Sequence, residues 1–555
     1  MRRVGVAGAS EDPRGSGRGA LALLGVALLG AAAYANTFQV PFVADDLSSI
    51  VDNGLVRDLA SYLPGGGGYA AARHRYVTYL TFALNYRLGG LEVAGYHLVN
   101  LLVHLANAAL LFALVRGLFL APRLARSALA PRRDAVALLA AALFVAHPLQ
   151  TGAVTYVVQR LASLATLFYL LAAALYLSWR LRREAGLAAP GRYLGALLAT
   201  LVAMKTKEIA FTLPLALLLL EASFFGRPGR RAWLGLAPFL LTLAVIPLTL
   251  LAPAGGAGLA GAEAAVRAGA WSRHDYLVTQ VAVVGTYLRL LVLPVGQNLD
   301  HDYPLQTTLF APALAGPVAA IAGLLGLAAA LYRRTGPRAA RGLDPAWRLV
   351  GFGILWFFLA LAVESSVVPI DDLIFEHRVY LPSAGLLAGA AAAAVLGVSR
   401  LRPAWRRAGA AALVAVVLAL ATATFLRNRT WSSAVSLWTD AAAKSPAKAR
   451  ARLNLGKALV EAGRPGDALP EYAAALRLDP GSPDLRNDLG VALLQLGRYD
   501  EAIAQLRLAV QLAPDYADAH TNLGMAYARK GLLREATEEM RRGMQLQPGA
   551  APAAP

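Results

Sequence analysis

The 555-residue chain contains no cysteine. Disulfides, thiolate metal sites and a cysteine nucleophile are excluded, and the redox compartment is left open. Charge is also scarce: only 16% of residues are Asp, Glu, Lys or Arg, and lysine is rare beside arginine. No grouping of histidines and carboxylates has metal-ligand spacing; His97 and His104, seven positions apart, are a poor metal pair. What replaces these residues is apolar. Hydrophobic residues make up 57%, 51 glycines are added to them, and mean hydropathy is +0.50. Such a composition excludes a cytosolic enzyme, a fibrous protein and a disordered one. Long apolar runs continue to about Phe425, and none after Thr430 is long enough to span a bilayer. A membrane domain followed by a polar one is expected.

The net charge of +19 invites a nucleic-acid reading. Position argues against it, because the arginines cluster in short segments between apolar runs: Arg132-Arg133, Arg182-Arg183, Arg230-Arg231, Arg333-Arg334 and Arg406-Arg407. Cationic loops of multi-span proteins retained on the cytoplasmic side have this pattern. Apolar segments fall near 18–36, 96–118, 134–147, 160–179, 192–204, 208–225, 233–253, 276–294, 311–332, 347–364, 379–398 and 408–426. With a cytoplasmic N-terminus, every arginine cluster stays inside only if 276–294 lies in the interface or re-enters. Asp275, Thr279, Thr286 and Arg289 recur along one of its sides, as on a surface helix. Eleven crossings with the C-terminus outside are therefore expected, against twelve if that segment crosses. The expected division is a basic tail at 1–17, a membrane domain at 18–430 with an outer loop at 37–95, repeats at 431–550 and a tail at 551–555.

Prolines at 446, 480, 514 and 548 are 34 residues apart, and Gly456, Gly490 and Gly524 keep the same period, as do Leu455, Leu489 and Leu523. Ala434, Ala468, Ala502 and Ala536 keep it too. This is the tetratricopeptide pattern of paired helices: the small residues admit a close helix partner and proline ends the second helix. One half unit and three repeats, at 449–482, 483–516 and 517–550, are expected. Asn454, Asp488 and Asn522 occupy one repeat position on the first helix, where a row of polar groups either binds an extended peptide or simply lines a groove. The fold class expected is all-α, a polytopic helical membrane domain followed by an α-solenoid.

Candidate chemistry gathers on the side opposite the arginine clusters. Asp45-Asp46 follow the first apolar segment directly, either as a general base at the membrane face or as the solvated start of a loop. His97, Asn100, His104 and Asn107 share one helical face within an apolar helix. They read as a functional site or as interhelical hydrogen-bonding groups. Arg75, Arg160, Lys207-Glu208 and Glu376-His377-Arg378 with Tyr380 stand at segment ends on that same side, a setting suited to an anionic ligand and an acid–base step.

The order of Asp45-Asp46 with Ile50 and Asn53, Arg75 with Thr81-Phe82 and Asn85-Tyr86, His97 and Asn100 with His104, and His147-Pro148 with Arg160 resembles one family. Lys207-Glu208, Pro294 with Asn298-Leu299, and Arg378 with Tyr380-Leu381-Pro382-Ser383, followed by the repeats, continue that resemblance. The family is the transmembrane and tetratricopeptide repeat (TMTC-type) protein O-mannosyltransferases, members of the multi-span GT-C glycosyltransferases. The resemblance implies inverting transfer of a sugar, mannose in that family, from a polyprenyl-phosphate donor to a protein hydroxyl on the extracytoplasmic side. It implies Asp45 or Asp46 as the base. Arg378, Arg75, Arg160 and Lys207 would hold the donor phosphate, with His97, Asn100, Glu208 and Tyr380 around the sugar. Asn454, Asp488 and Asn522 would meet the acceptor peptide. No metal and no cofactor beyond the lipid-linked donor is implied, and the partners are membrane lipid, that donor and an acceptor polypeptide. Arginine in preference to lysine points to a GC-rich bacterial genome, hence to undecaprenyl rather than dolichyl phosphate, to the bacterial inner membrane and to periplasmic repeats. A non-catalytic, membrane-anchored repeat scaffold for envelope protein assembly would explain the repeats but not Asp45-Asp46. A lipid-linked sugar transporter would not need the repeats.

Overall fold

The computed structural model describes residues 13–251, 272–336, 342–365, 369–370 and 372–547. The first twelve residues of the expected basic tail, Asp371, Pro548 and the tail 551–555 lie outside them. Every regular element among the described residues is helical. Hydrocarbon cannot hydrogen-bond a backbone, so an apolar chain must satisfy its N–H and C=O groups within each segment. The chain separates into two units, residues 1–297 with 304–429, and residues 298–303 with 430–555.

In the first unit the principal helices are α1 (Pro13–Ala33), α2 (Tyr76–Gly89), α3 (Val93–Leu118), α4 (Arg133–Ala146), α5 (Arg160–Glu184), α6 (Pro190–Met204), α7 (Leu213–Leu220) and α8 (Arg230–Leu241). They continue as α9 (Arg273–Val292), α10 (Ala315–Arg334), α11 (Trp347–Leu361), α12 (Tyr380–Arg400) and α13 (Pro403–Arg429). Eight helices among the described residues are long and apolar enough to cross a bilayer. The stretches Ala130–Ala146 and Pro148–Val154 form a pair bent by 55°, while Gly19–Ala33 and Trp347–Leu361 are shorter apolar helices. Pro148 has no N–H to continue the helix, which accounts for the bend after α4. Helix α9, which charge counting assigns to the interface, passes the same test of length and apolarity as the other seven. Close backbone approach holds α11 to α12: a Cβ on Gly353 would sit 2.1 Å from the Gly385 carbonyl oxygen. Small residues permit such contacts, and they are a main source of attraction between helices in lipid.

The second unit holds α14 (Ala434–Lys444), α15 (Ala449–Glu461), α16 (Pro465–Leu478), α17 (Pro483–Gln495), α18 (Tyr499–Leu512), α19 (Ala517–Arg529) and α20 (Leu533–Leu546). They run as one helix followed by three helix pairs. A Cβ on Gly456, Gly490 or Gly524 would lie 2.4 Å from Tyr472, 2.5 Å from Leu506 or 2.7 Å from Met540. That close approach is why glycine recurs there. A second periodic device is less visible in the sequence. Arg452 bonds Glu471 at 2.9 Å, Arg486 bonds Gln505 at 3.1 Å, and His520 bonds Glu539 at 2.6 Å. The same three side chains reach back to the carbonyls of Pro446, Pro480 and Pro514. Each thus ties the two helices of its repeat to the preceding turn.

Residues 298–303 are part of this second unit. The Ser445 hydroxyl accepts from Asn298 Nδ2 at 2.8 Å and donates to the Asp300 carbonyl at 2.7 Å. The Asp300 carboxylate, 3% exposed, accepts from Arg450 Nη2 and Nε at 2.6 and 2.9 Å and pairs with Lys448. Burial would raise the Asp300 carboxyl, but Arg450 and Lys448 outweigh it and hold it below its usual range.

Candidate functional site

The two adjacent aspartates are placed in opposite environments. Asp45 is exposed, whereas Asp46 is 1% exposed. Asp46 accepts from the Val43 amide at 3.1 Å and, through its other oxygen, from the Val158 amide at 2.6 Å. Burial pushes the Asp46 carboxyl up to about 8, against the pull of those two amides and with a further push from Asp45. The turn that separates the two environments is strained: Ala44 has φ +50°, a left-handed conformation that costs an L-residue about 1–2 kcal/mol. The Asp45 amide donates to the Tyr156 hydroxyl at 2.9 Å, and that hydroxyl is also bonded to the Asp45 side chain. Burial and the two aspartates raise the Tyr156 phenol well above its ordinary value, so it stays protonated. Nothing in the spacing of Tyr156 marks it. Its only signal is a hydroxyl in the short polar stretch after Pro148.

His97 and Asn100 hold the backbone around this turn. His97 Nε2 lies 2.9 Å from the Val40 carbonyl and must carry the proton, because a carbonyl only accepts. Its Nδ1 is buried without a partner. Asn100 donates to the Val154 and Val157 carbonyls at 3.1 and 3.3 Å. Its oxygen accepts from Arg160 Nε at 2.6 Å.

Arg160 is fully buried. Besides Asn100 it bonds Asn85 Oδ1 at 2.6 Å, Thr81 Oγ1 at 3.2 Å and the Tyr96 carbonyl at 3.0 Å. Its guanidinium lies over the Phe82 ring at 4.7 Å. All three nitrogens are engaged, so the fork that sequence assigns to a phosphate is closed over protein groups.

The other cations form a group of their own. Arg75 is 38% exposed and pairs with Glu208 at 3.1 Å, with His74 3.6 Å from the same carboxylate. Glu208 holds the Arg75 guanidinium above its ordinary value, while burial holds His74 below its own. Lys207 pairs with Glu364 at 2.7 Å, both largely buried. Arg378 donates to the carbonyls of Leu373 and Asp372 at 3.3 and 2.9 Å and stacks on Phe375. Lys207, Arg378 and Arg75 all act electrostatically on the buried His377 ring. The N-terminus of α2 joins this group to the chain before Lys207, through Val77 N–H to Lys205 O at 3.0 Å.

The segment between Pro148 and Arg160 serves both groups. A Cβ on Gly152 would lie 3.6 Å from the His377 backbone nitrogen, and Tyr156 and Val158 meet the aspartates. Tyr380 is elsewhere. It is buried among the helices, where its hydroxyl donates to His104 Nδ1 at 2.6 Å and accepts from Asn107 at 3.1 Å. His104 Nε2 faces the Val145 carbonyl, which fixes Nδ1 as the acceptor. In the second unit Asp488 pairs with Lys457 at 3.1 Å and Asn522 donates to Asn487 at 2.8 Å. Two residues of the expected groove row are thus linked to neighbouring side chains, and Asn454 is half-buried. Among the described residues, no group of three or more His, Cys, Asp or Glu could hold a metal ion.

Tetratricopeptide-repeat family profiles match residues 418–483, 459–511, 492–531 and 517–549. Protein O-mannosyl-transferase Tmtc1 of Drosophila melanogaster is 35% identical over 205 residues, 34% of this chain and 21% of that protein. Human Protein O-mannosyl-transferase TMTC4 is 35% identical over 156 residues, 25% of this chain and 20% of that protein. Protein O-mannosyl-transferase F38B6.6 of Caenorhabditis elegans is 25% identical over 500 residues, 85% of this chain and 64% of that protein. The chain therefore spans about a fifth of the first two relatives and less than two thirds of the third. Among solved structures, a crystal structure of MamA is similar over 20% of this chain and 61% of that one, with 22% identity and a TM-score of 0.19. The chain is a homologue of TMTC-type protein O-mannosyltransferases, and its C-terminal region consists of tetratricopeptide repeats.

Proposed function

We propose that this chain is a multi-pass membrane glycosyltransferase of the GT-C type that moves a sugar from a polyprenyl phosphate to a protein hydroxyl outside the cytoplasm. The observation that carries the reading is an exposed carboxylate, Asp45, held by a buried tyrosine on the segment whose other end abuts the cation group of His377. Asp45 takes the proton of a serine or threonine hydroxyl. The oxygen attacks the anomeric carbon from the face opposite the phosphate, the bond from that carbon to the phosphate oxygen breaks, and configuration inverts. The leaving polyprenyl phosphate gains one negative charge, since a phosphodiester becomes a monoester. Cations aimed at that developing charge supply the larger share of catalysis. Arg75, half-exposed, meets the phosphate, with Lys207 and Arg378 behind it and Glu208 orienting Arg75.

Asp46, His97, Asn100, Arg160 and Tyr380 act as positioning residues, because their hydrogen bonds run to protein groups. The repeats present the acceptor polypeptide along the row of Asn454, Asp488 and Asn522. The names of the homologues support mannose as the sugar.

The test is transfer of labelled mannose from a polyprenyl-phosphate donor to a serine- and threonine-containing peptide by purified protein. Asp45→Asn should lower kcat by about 10²–10⁴, the range for loss of a general base. Transfer equal to the wild type would remove Asp45 from the mechanism.

A further inference from the structure

A cavity of about 260 Å³ lies between α1, α3 and α4, at the end of α3 away from His97. Its position follows from the packing of those helices. At Gly30 α1 is pressed against its neighbours, since a Cβ there would lie 2.6 Å from Leu105 and 2.8 Å from Val145. Two turns earlier, Leu23 lines the cavity together with residues of α3 and α4. Ala113 and Gly117 leave a shallow floor on α3, and Leu23 and Phe112 form apolar walls. Two guanidiniums stand in the same lining, Arg116 on α3 and Arg133 at the start of α4, with side chains 45% and 38% exposed.

Apolar walls with arginines among the lining residues match the build of a phospholipid, whose chain is hydrocarbon and whose phosphate is anionic. The volume is too small for a drug-sized ligand, which takes about 300–1,000 Å³, but it admits part of an acyl chain. Arg116 is held by Asp134 at 2.6 Å, and Arg133 lies 4.0 Å from the same carboxylate. Asp134 is 65% exposed, so this pairing is screened by water and yields readily to a competing anion. Basic pockets between membrane helices bind anionic headgroups in this manner. We infer that the groove between α1, α3 and α4 binds one anionic glycerophospholipid, its phosphate on Arg116 and Arg133 and an acyl chain along Leu23, Phe112 and Gly117. The site is separate from the Asp45 region and does not depend on the transfer reaction.

The test is native mass spectrometry of the full chain released from nanodiscs of equal phosphatidylglycerol and phosphatidylcholine. The wild type should retain phosphatidylglycerol in preference, and Arg133→Gln should lower that preference about fivefold, the worth of one arginine near a lipid phosphate. Asp134→Asn removes the competing carboxylate and should raise retention, a change of sign that misfolding cannot produce. Ala113→Phe fills the floor, leaves both arginines and should abolish retention of either lipid. Equal retention of the two lipids by the wild type would overturn the inference. So would an Asp134→Asn protein with unchanged retention, or displacement of phosphatidylglycerol by equimolar polyprenyl phosphate.

Discussion

The backbone N–H of Asp45 donates to the hydroxyl of Tyr156 at 2.9 Å, across 111 positions of sequence. Tyr156 therefore sets where the exposed carboxylate stands. Removing the hydroxyl leaves the Asp45 amide to water and loses about 1 kcal/mol of hydrogen bonding. Tyr156→Phe should lower kcat for sugar transfer at least tenfold with little change in acceptor KM, because orientation rather than binding is lost. Steady-state kinetics against acceptor peptide check this, and a rise in KM at constant kcat would assign Tyr156 to binding instead.

Asp46 links stability to pH. Its folded-state carboxyl is pushed up to about 8, with burial as the leading cause, whereas the unfolded chain titrates at about 3.9. Between those values the folded state holds a proton that the unfolded state has lost, so stability falls as pH rises. The contribution is fully present below the unfolded value and is gone once pH has passed through the folded one. Melting temperatures in detergent should decline from pH 5 to pH 9 in the wild type. Asp46→Asn, which cannot titrate, should melt lower at pH 5 and show a flatter profile. Parallel profiles for the two proteins would mean that Asp46 does not titrate in this range.

Arg160 is a test of geometry rather than charge. Its nitrogens reach Asn100, Asn85, Thr81 and the Tyr96 carbonyl at once, and a single lysine ammonium cannot cover those directions. Buried acceptors left without a donor cost about 1–3 kcal/mol each. Arg160→Lys should therefore be destabilised by about 3 kcal/mol or more and lose transfer with its fold. A lysine variant that melts like the wild type would show that charge alone is required.

Asp300 should govern the start of the repeat unit. Arg450 and Lys448 hold its carboxyl below the usual range despite burial. Its contribution is present at neutral pH and is lost as pH falls through the lowered folded value. Asp300→Ala removes charge-assisted bonds and should cost the unit about 2 kcal/mol. Limited proteolysis of the full chain should show earlier cleavage within residues 449–461 in this variant, and in the wild type on acidification. Unchanged cleavage in both would mean that Asp300 does not stabilise the first repeat.

Much of the architecture is local and was legible in order. An apolar run long enough to cross a bilayer folds as a helix whatever surrounds it, and a 34-residue period with glycine and alanine in step leaves paired helices as the reading. The status of α9 was not legible, because charge counting speaks to orientation while length and apolarity speak to crossing. Nor were the periodic ties of Arg452, Arg486 and His520, because three different residue types do one job.

The chemistry divides in the same way. Sequence alone located an aspartate pair, arginines at segment ends and polar residues on one helical face. It could not separate Asp45 from Asp46, since neighbours in the chain have the same composition around them. Their difference comes from Val158 and Tyr156, more than a hundred residues away. It could not tell Arg160 from Arg75 either. Both are cations at the start of a helix, but one is enclosed by Asn85, Asn100, Thr81 and Tyr96 and the other is half-exposed beside Glu208. A side chain has a fixed number of donors and acceptors, and which partners occupy them is decided only when distant segments meet.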